Sequence, residues 1–248
     1  MEKLVIIPTY NEKENIEIIL DAIDNLNQDF HVLVIDDGSP DGTADLVRRI
    51  QLKRPAVFLE ERKGKLGLGT AYIHGFEWAI RRDYQFIFEM DADFSHNPAD
   101  LSRLYAACKT GGADLSVGSR YTRGGGVRNW PSNRIVLSKG ASYYTRLLLW
   151  MPVADPTAGF VCYKKEVLET INLDEVRFVG YAFQIEMKFA AWKLGFKIKE
   201  VPIQFEDRRF GDSKMSKGIV KEGILGVLQL RWHSLFTNYR RRVKKAIA

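Results

Sequence analysis

Asp91 and Asp93 stand one residue apart in the segment FEMDADFSHNP, directly after the apolar run YQFI, with Ser95 and His96 close behind. A chain that leaves a buried strand and at once sets two carboxylates side by side places like charges together, which is unfavourable unless a cation lies between them. Oxygen ligands on so short a turn suit Mg²⁺ or Mn²⁺, which bind few protein carboxylates and fill the remaining positions with phosphate and water. Such an ion would bridge a diphosphate and stabilise the charge it gains on leaving. An acidic turn after a strand is the plainer alternative.

The elements that must position this pair alternate along the front half of the chain. KLVIIPT reads as a buried strand, and Ile16, Ile19, Leu20 and Ile23 follow at helical spacing. HVLVID is a second strand, with a helix from about Thr43 to Leu52. AVFLE is a third, with a helix from about Gly69 to Arg82. YQFIFEM and DLSVGS are the fourth and fifth. This alternation predicts an α/β fold, a parallel sheet with helices on both faces. Ligands bind such sheets at the carboxyl ends of the strands, where PTYNE (8–12), DDGSPDGT (36–43), DAD (91–93) and GSRY (118–121) all fall. Beyond Tyr121, the Gly-rich basic stretch 122–134 reads as a mobile loop. A helix over 134–150, a loop and strand in DPTAGFVCYKKEV, a helix in VGYAFQIEMKFAAWKLG and a strand in FKIKEVPIQFE precede a long helical tail. GKLGLGT (64–70) fits neither the dinucleotide fingerprint nor the P-loop, and reads as a lead-in to the helix that follows.

Composition is that of a soluble globular chain, 46% hydrophobic and 27% charged. No apolar run is long enough to span a bilayer, and no signal peptide is evident. Cys108 and Cys162, far apart in apolar surroundings, read as reduced core residues, consistent with a cytosolic chain. Charge is uneven. Residues 200–248 carry a net +6, and the first 199 are balanced. A basic end points to an anionic partner such as a nucleic acid, a membrane surface or a phosphorylated ligand.

Taken in order, PTYNE, IDDGSPDGT, MDADFSH, GSRYTRGGG, DPTAGF, GYAFQIE and DRRFGDSKM resemble glycosyltransferase family 2, with its GT-A fold, and within it the polyprenol-phosphate (dolichol-phosphate) mannosyltransferases. The resemblance implies residues 1–215 as a GT-A catalytic domain and 216–248 as an amphipathic basic helix and tail. It implies a nucleotide-sugar pocket lined by Pro8, Tyr10, Glu12, Ile35 and Asp37, with Tyr10 stacking on the base and the two acids accepting hydrogen bonds from guanine or ribose. Asp91 and Asp93 would carry the metal and diphosphate, and Ala92 would contribute backbone. Ser95 stands where some members of the family have a metal-contacting Gln, a departure, since a hydroxyl is a shorter and weaker ligand. Arg208 and Lys214, around a Gly-containing turn, suit phosphate. Arg120, Arg134 and Ser138 would receive the phosphate of an acceptor. Gln184 and Glu186 would reach sugar hydroxyls, and Asp155 would align the acceptor or a sugar hydroxyl, or act as base. His96 would support the metal pair from behind. For several of these the bland reading stands beside the functional one: Thr9 or Asn11 capping a helix, Asp41 and Thr43 shaping a turn, Asp155 capping a loop, Gln184 and Glu186 on an exposed helix face.

The activity implied is transfer of mannose from GDP-mannose to a polyprenyl monophosphate with inversion, assisted by Mg²⁺ or Mn²⁺. The rival within the class is a UDP-glucose or other sugar-nucleotide donor. The tail places Trp232, Leu235 and Phe236 near Arg240, Arg241 and Arg242, a pattern suited either to the interface of an anionic bilayer or to docking on the protein's own core. The protein is expected in the cytoplasm, peripheral on the membrane, with any membrane partner subunit undefined. A basic nucleic-acid-binding protein is the rival from another class. The sequence holds no recognition module, and its basic residues do not alternate with exposed aromatics, so no nucleic-acid partner is expected. A catalytically dead scaffold is the third reading, disfavoured by the intact ordered motifs.

Overall fold

The computed structural model describes residues 1–180, 182–207 and 217–240. Its chain order is β1 (Lys3–Thr9), α1 (Lys13–Asp24), β2 (Phe30–Asp36), α2 (Thr43–Gln51), β3 (Val57–Glu61), α3 (Leu68–Arg81), β4 (Phe86–Glu89), α4 (Leu101–Lys109), β5 (Leu115–Ser119), β6 (Gly126–Val127), α5 (Ser132–Leu149), β7 (Val161–Lys164), α6 (Lys165–Thr170), α7 (Ala182–Lys193), β8 (Ile198–Pro202), β9 (Gln204–Phe205) and α8 (Lys217–His233). α4 adds to the elements expected from sequence. Its buried residues Leu101, Leu104, Ala107 and Cys108 do repeat at helical spacing, over only nine residues.

Seven strands form one sheet in the order β3-β2-β1-β4-β7-β5-β8. It is mostly parallel. β7 is the exception, inserted between β4 and β5 and antiparallel to both. β6 and β9 pair as a separate two-stranded ribbon. Side chains alternate faces along a strand, and β1 shows the consequence: Leu4 and Ile6 join the core under α3 and α7, while Val5 and Ile7 join the core under α1, α2 and α4. The first approach is close, because a Cβ on Gly75 of α3 would lie 2.8 Å from Ile6 and 2.9 Å from Ile35. The side chain of Ile35 is therefore core packing beneath α3 rather than pocket lining. Cys108 and Cys162 are buried and unbridged.

α8 docks on the protein's own core along one side, and Arg241 and Arg242 lie outside the described residues. Val227 and Leu230 are buried in the core, whereas Trp232, Leu235 and Phe236 face solvent. Tyr239, also buried, and the bridge between Ile171 and Arg240 hold the following segment to the body.

Candidate active site

β1 and β2 end side by side, and the loops that follow are stitched together. Thr9 Oγ1 donates to Asp36 Oδ2 at 2.9 Å, and Asp37 N donates to Thr9 O at 3.0 Å. The first turn of a helix leaves backbone N–H groups unpaired. At α1 these are met from the neighbouring loop: Glu12 N donates to Thr43 Oγ1 at 3.1 Å and Lys13 N to Asp41 Oδ2 at 3.1 Å. Neither Thr9 nor Asn11 caps the helix. Asn11 takes a left-handed backbone, φ 58°, and its N–H donates to Ser39 Oγ. Asp41 also accepts from Thr43 N and Oγ1, so it shapes the turn as expected. Tyr10 is half-buried beside this seam with Lys65 Nζ 4.9 Å from its ring centre. Pro8 pairs with Ile35 in the ladder below.

Asp37 is held by a residue the sequence did not single out. Arg62 Nε and an Nη donate to its two oxygens at 2.6 and 2.8 Å, and the same guanidinium reaches Thr70 Oγ1. Both partners are about nine-tenths buried. Burial raises the Asp37 carboxyl above its ordinary value, with Arg62 opposing the shift. Arg62 also explains GKLGLGT: the Gly67 carbonyl just before α3 and Thr70 in its first turn both meet this guanidinium.

β4 delivers the DAD turn to the same edge. Asp93 is buried, and its Oδ1 accepts from Ser95 N at 3.1 Å. The Asp91 side chain is 40% exposed and lines a cavity. Behind them His96 stacks on Phe160, and its Nδ1 accepts the Asp91 N–H at 3.3 Å. That bond requires an unprotonated Nδ1, in keeping with a histidine that burial lowers to about 4. Ser95 Oγ is buried without a partner. Among the described residues no group of three or more His, Cys, Asp and Glu side chains could hold an ion. An ion at this turn would have at most the two carboxylates of Asp91 and Asp93 and would need phosphate oxygens to complete its shell.

A cavity of about 660 Å³ runs from Asp91 along α5. Arg120, Arg134, Ser138 and Gln184 line it, and Val136, Leu137, Ala141 and Tyr144 make its far wall apolar. Tyr121 Oη donates to Ser138 Oγ at 2.7 Å. Arg134 lies 3.9 Å over the Trp130 ring and donates to Asp207.

Asp155, fully buried, organises Arg120. Oδ2 accepts from Arg120 N and Nε, and Oδ1 from Arg120 Nη2 and Thr157 Oγ1. Four donors fill the roughly four lone-pair positions of a carboxylate. Burial by itself would raise this carboxyl, but the bonds and charge of Arg120 hold it below its ordinary value. Asp155 is thereby a fixed anchor with nothing left to accept a proton from a substrate. Glu186 is similarly engaged, accepting Arg177 N and Phe178 N at 2.9 and 3.0 Å, and it is absent from the cavity wall. The buried Gln184, not an exposed helix face, reaches the cavity. Arg208 and Lys214 lie outside the described residues.

Residues 4–171 match the family model described as glycosyl transferase family 2. The chain belongs to glycosyltransferase family 2. Among its relatives, the polyprenol monophosphomannose synthase of Mycolicibacterium smegmatis is 49% identical over 91% of this chain and 85% of its own. The undecaprenyl-phosphate mannosyltransferase of Micrococcus luteus is 44% identical over 95% of this chain and 98% of its own. The fold is also that of a glucosyl-3-phosphoglycerate synthase from Mycobacterium tuberculosis, with a TM-score of 0.68 at 18% identity, covering 93% of this chain and 80% of that one.

In this family 2 glycosyltransferase the residues the sequence left out are partners rather than motif members. Arg62 holds Asp37, Trp130 carries Arg134, and Lys188 lies beneath Gln184. Glu89, at the end of β4, is fully buried with both carboxylate oxygens unpaired. A Glu in FEMDAD and a Lys in an otherwise apolar helix stretch were the available signals.

Proposed function

We propose that this glycosyltransferase moves mannose from GDP-mannose to a polyprenyl monophosphate, inverting the anomeric centre to give a β-linked lipid phosphomannose. The observation that carries this reading is the cavity, which begins at Asp91 of the DAD turn, passes Arg134 and Ser138, and ends on the apolar residues of α5. One passage thus offers a metal and diphosphate end, a phosphate-binding middle and a lipid-compatible wall. The relatives' names, polyprenol monophosphomannose synthase and undecaprenyl-phosphate mannosyltransferase, supply the sugar and the acceptor class.

Tyr10, Glu12 and Asp37 bind the nucleoside, with Pro8, Ile35 and Ala92 supplying backbone and Arg62 orienting Asp37. Asp91 and Asp93, with Ser95 adjacent, hold Mg²⁺ or Mn²⁺ together with the diphosphate. The ion supplies charge neutralisation to the leaving group when bound. Arg208 and Lys214 add cationic contacts to the phosphates. Arg134 and Ser138 seat the acceptor phosphate, and Arg120, braced by Asp155, lends positive potential. A phosphate oxygen of the lipid, already anionic at neutral pH, forms the bond to the anomeric carbon as the bond from that carbon to the β-phosphate oxygen breaks, and GDP departs. The nucleophile needs no proton removed, so the site works by placing two anions together and stabilising the departing one.

The reaction takes place at a bilayer. No helix among the described residues is long and apolar enough to cross one. Trp150 of the α5 end and Leu225, Leu228, Trp232, Leu235 and Phe236 of α8 and its continuation are all exposed, with Arg231 5.2 Å from the Trp150 ring. Exposed aromatics and aliphatics beside cations suit a peripheral seat on an anionic cytoplasmic leaflet.

The test is a transfer assay with labelled GDP-mannose and a short polyprenyl phosphate, with Mg²⁺ or Mn²⁺, beside EDTA, Asp93→Ala and UDP-glucose arms. Label entering the lipid phase from GDP-mannose alone, and only with metal and Asp93, supports the proposal. Transfer from UDP-glucose alone overturns the donor, and failure to bind any nucleotide overturns the reading altogether.

A further inference from the structure

A second, smaller cavity of about 300 Å³ lies against another face of α5. The helix divides its residues between the two cavities. Arg134, Ser138, Ala141 and Thr145 line the first, whereas Lys139, Ser142, Tyr143 and Arg146 line the second. At roughly 100° per residue, these two sets centre about 120° apart around the helix axis. Thr122 and Gly125 from the loop after β5, with Ala154, complete the second wall. Tyr121 stands between the two: it lines the second cavity, and its Oη donates to Ser138 at 2.7 Å on the side of the first.

The chemistry of this second cavity is one-sided. Arg120, Lys139 and Arg146 all line it, and among the described lining residues there is no carboxylate. The charge of Arg120 is answered by Asp155, which leaves Lys139 and Arg146, both exposed. They stand two turns apart, about 10 Å along the axis, a span that two long side chains can close around one anion. Between them Ser142 is 3% exposed, and its hydroxyl, on a single rotatable bond, has no hydrogen-bond partner. Cations beside hydroxyls, with no acid to compete, suit a phosphate. Next around the helix come Tyr143, Leu147 and Trp150, all exposed. An apolar ridge flanked by cations is the pattern of a helix lying in a bilayer interface, and it would carry the cavity to the level of the lipid phosphates.

We infer that the second cavity is a phosphate site, in which Lys139 and Arg146 grip the phosphate of an anion that is not a substrate. The neighbouring apolar ridge favours the headgroup of an anionic membrane lipid as its source. The site is separate from the acceptor seat at Arg134 and Ser138. It takes from the proposed function only the bilayer setting, and no part of the transfer passes through it.

Sedimentation of the full chain with phosphatidylcholine vesicles, with and without phosphatidylglycerol, tests the site. The parent should prefer the phosphatidylglycerol vesicles. The double variant Lys139→Gln, Arg146→Gln should bind them about 30-fold more weakly, about fivefold for each basic residue held at an anionic surface. The double variant Arg49→Gln, Lys53→Gln removes the same charge at the end of α2 and should bind as the parent does. Ala154→Leu thickens the cavity wall and keeps every charge, so it should lose most of the preference. A parent-like Ala154→Leu, or equal losses in the two double variants, means diffuse attraction and overturns the site. Calorimetry with glycerol 3-phosphate, without vesicles, separates the sources. If it binds through Lys139 and Arg146 while the vesicles make no distinction, the site stands and its ligand is a soluble phosphate. No dependence on these two residues in either arm refutes it. Transfer to a short, detergent-soluble polyprenyl phosphate should be unchanged in Lys139→Gln, Arg146→Gln, and a raised KM for that acceptor would overturn the separation from the acceptor seat. A parent that binds phosphatidylglycerol through these residues but transfers no mannose refutes the transferase reading and leaves the site standing.

Discussion

Replacing Asp155 with Asn removes one charge from a pair that water does not reach. Arg120 and Asp155 side chains are 10% and 0% exposed, and the carboxylate accepts four hydrogen bonds, three of them from Arg120. An amide of the same shape offers a single acceptor oxygen, and its NH₂ would face guanidinium donors. Taking one partner from a buried pair costs about 3–5 kcal/mol, because the remaining charge is left unpaired. For a domain of this size each kcal/mol moves the melting temperature by about 2–4 °C, so Asp155→Asn should melt roughly 6–20 °C lower. Asp45→Asn supplies the control. Its pair with Arg48 is half-exposed, and pairs of that kind contribute about 0–1 kcal/mol. The pH dependence has a definite sign. The folded Asp155 carboxyl lies below its ordinary value of 3.8, so its contribution is complete above that value and is lost as pH falls through the lower folded one. The parent should lose more stability than the variant on acidification below about pH 4. Calorimetric melting between pH 3 and 7 reads all three. An Asn variant that melts within about 2 °C of the parent refutes the anchor argument. An unchanged melting temperature with a large fall in kcat alone would instead restore Asp155 as a proton acceptor.

Three further outcomes follow from particular contacts. Arg62→Met removes the cation opposing the burial of Asp37, so the Asp37 carboxyl should rise further and nucleotide affinity should weaken at a higher pH on acidification than in the parent, measured by titration with GDP from pH 5 to 8. Gly140 lies inside α5 with nothing within 4 Å of a Cβ, yet it lines the cavity. Gly140→Ala should therefore add about 0.5–1 kcal/mol of stability while raising the KM for lipid acceptor and leaving that for donor unchanged. Gly69→Ala is the opposite case: its Cβ would lie 2.7 Å from Phe178 O and 2.8 Å from Phe183, an overpacking that should cost about 1–3 kcal/mol in denaturant titration.

Much of the architecture was local and so was legible. Buried strands KLVIIPT and HVLVID, helical repeats such as Ile16, Ile19, Leu20 and Ile23, and loops at strand ends are one-dimensional signals, and β1, β2, α1 and the DAD turn stand where those signals put them. The order of the motifs was enough to suggest the family. The position of β7 was not legible, because a four-residue apolar run carries no mark of its neighbours or its direction. Its insertion between β4 and β5 is a property of the whole sheet.

The site divides the same way. The sequence determined which residue types the cavity edge would carry, including two acids on a turn after a strand, an arginine at the end of another strand, and an arginine and a serine in the first turns of the helix over 132–149. Only the tertiary structure decided what those side chains are free to do. Asp37 meets Arg62 across 25 residues, Arg120 meets Asp155 across 35, and Lys188 reaches Ala158 across 30. Pairing in a buried site depends on distance in space and on which lone pairs are already filled. Those are fixed when strands far apart in sequence come to lie side by side, and the linear pattern holds no record of it.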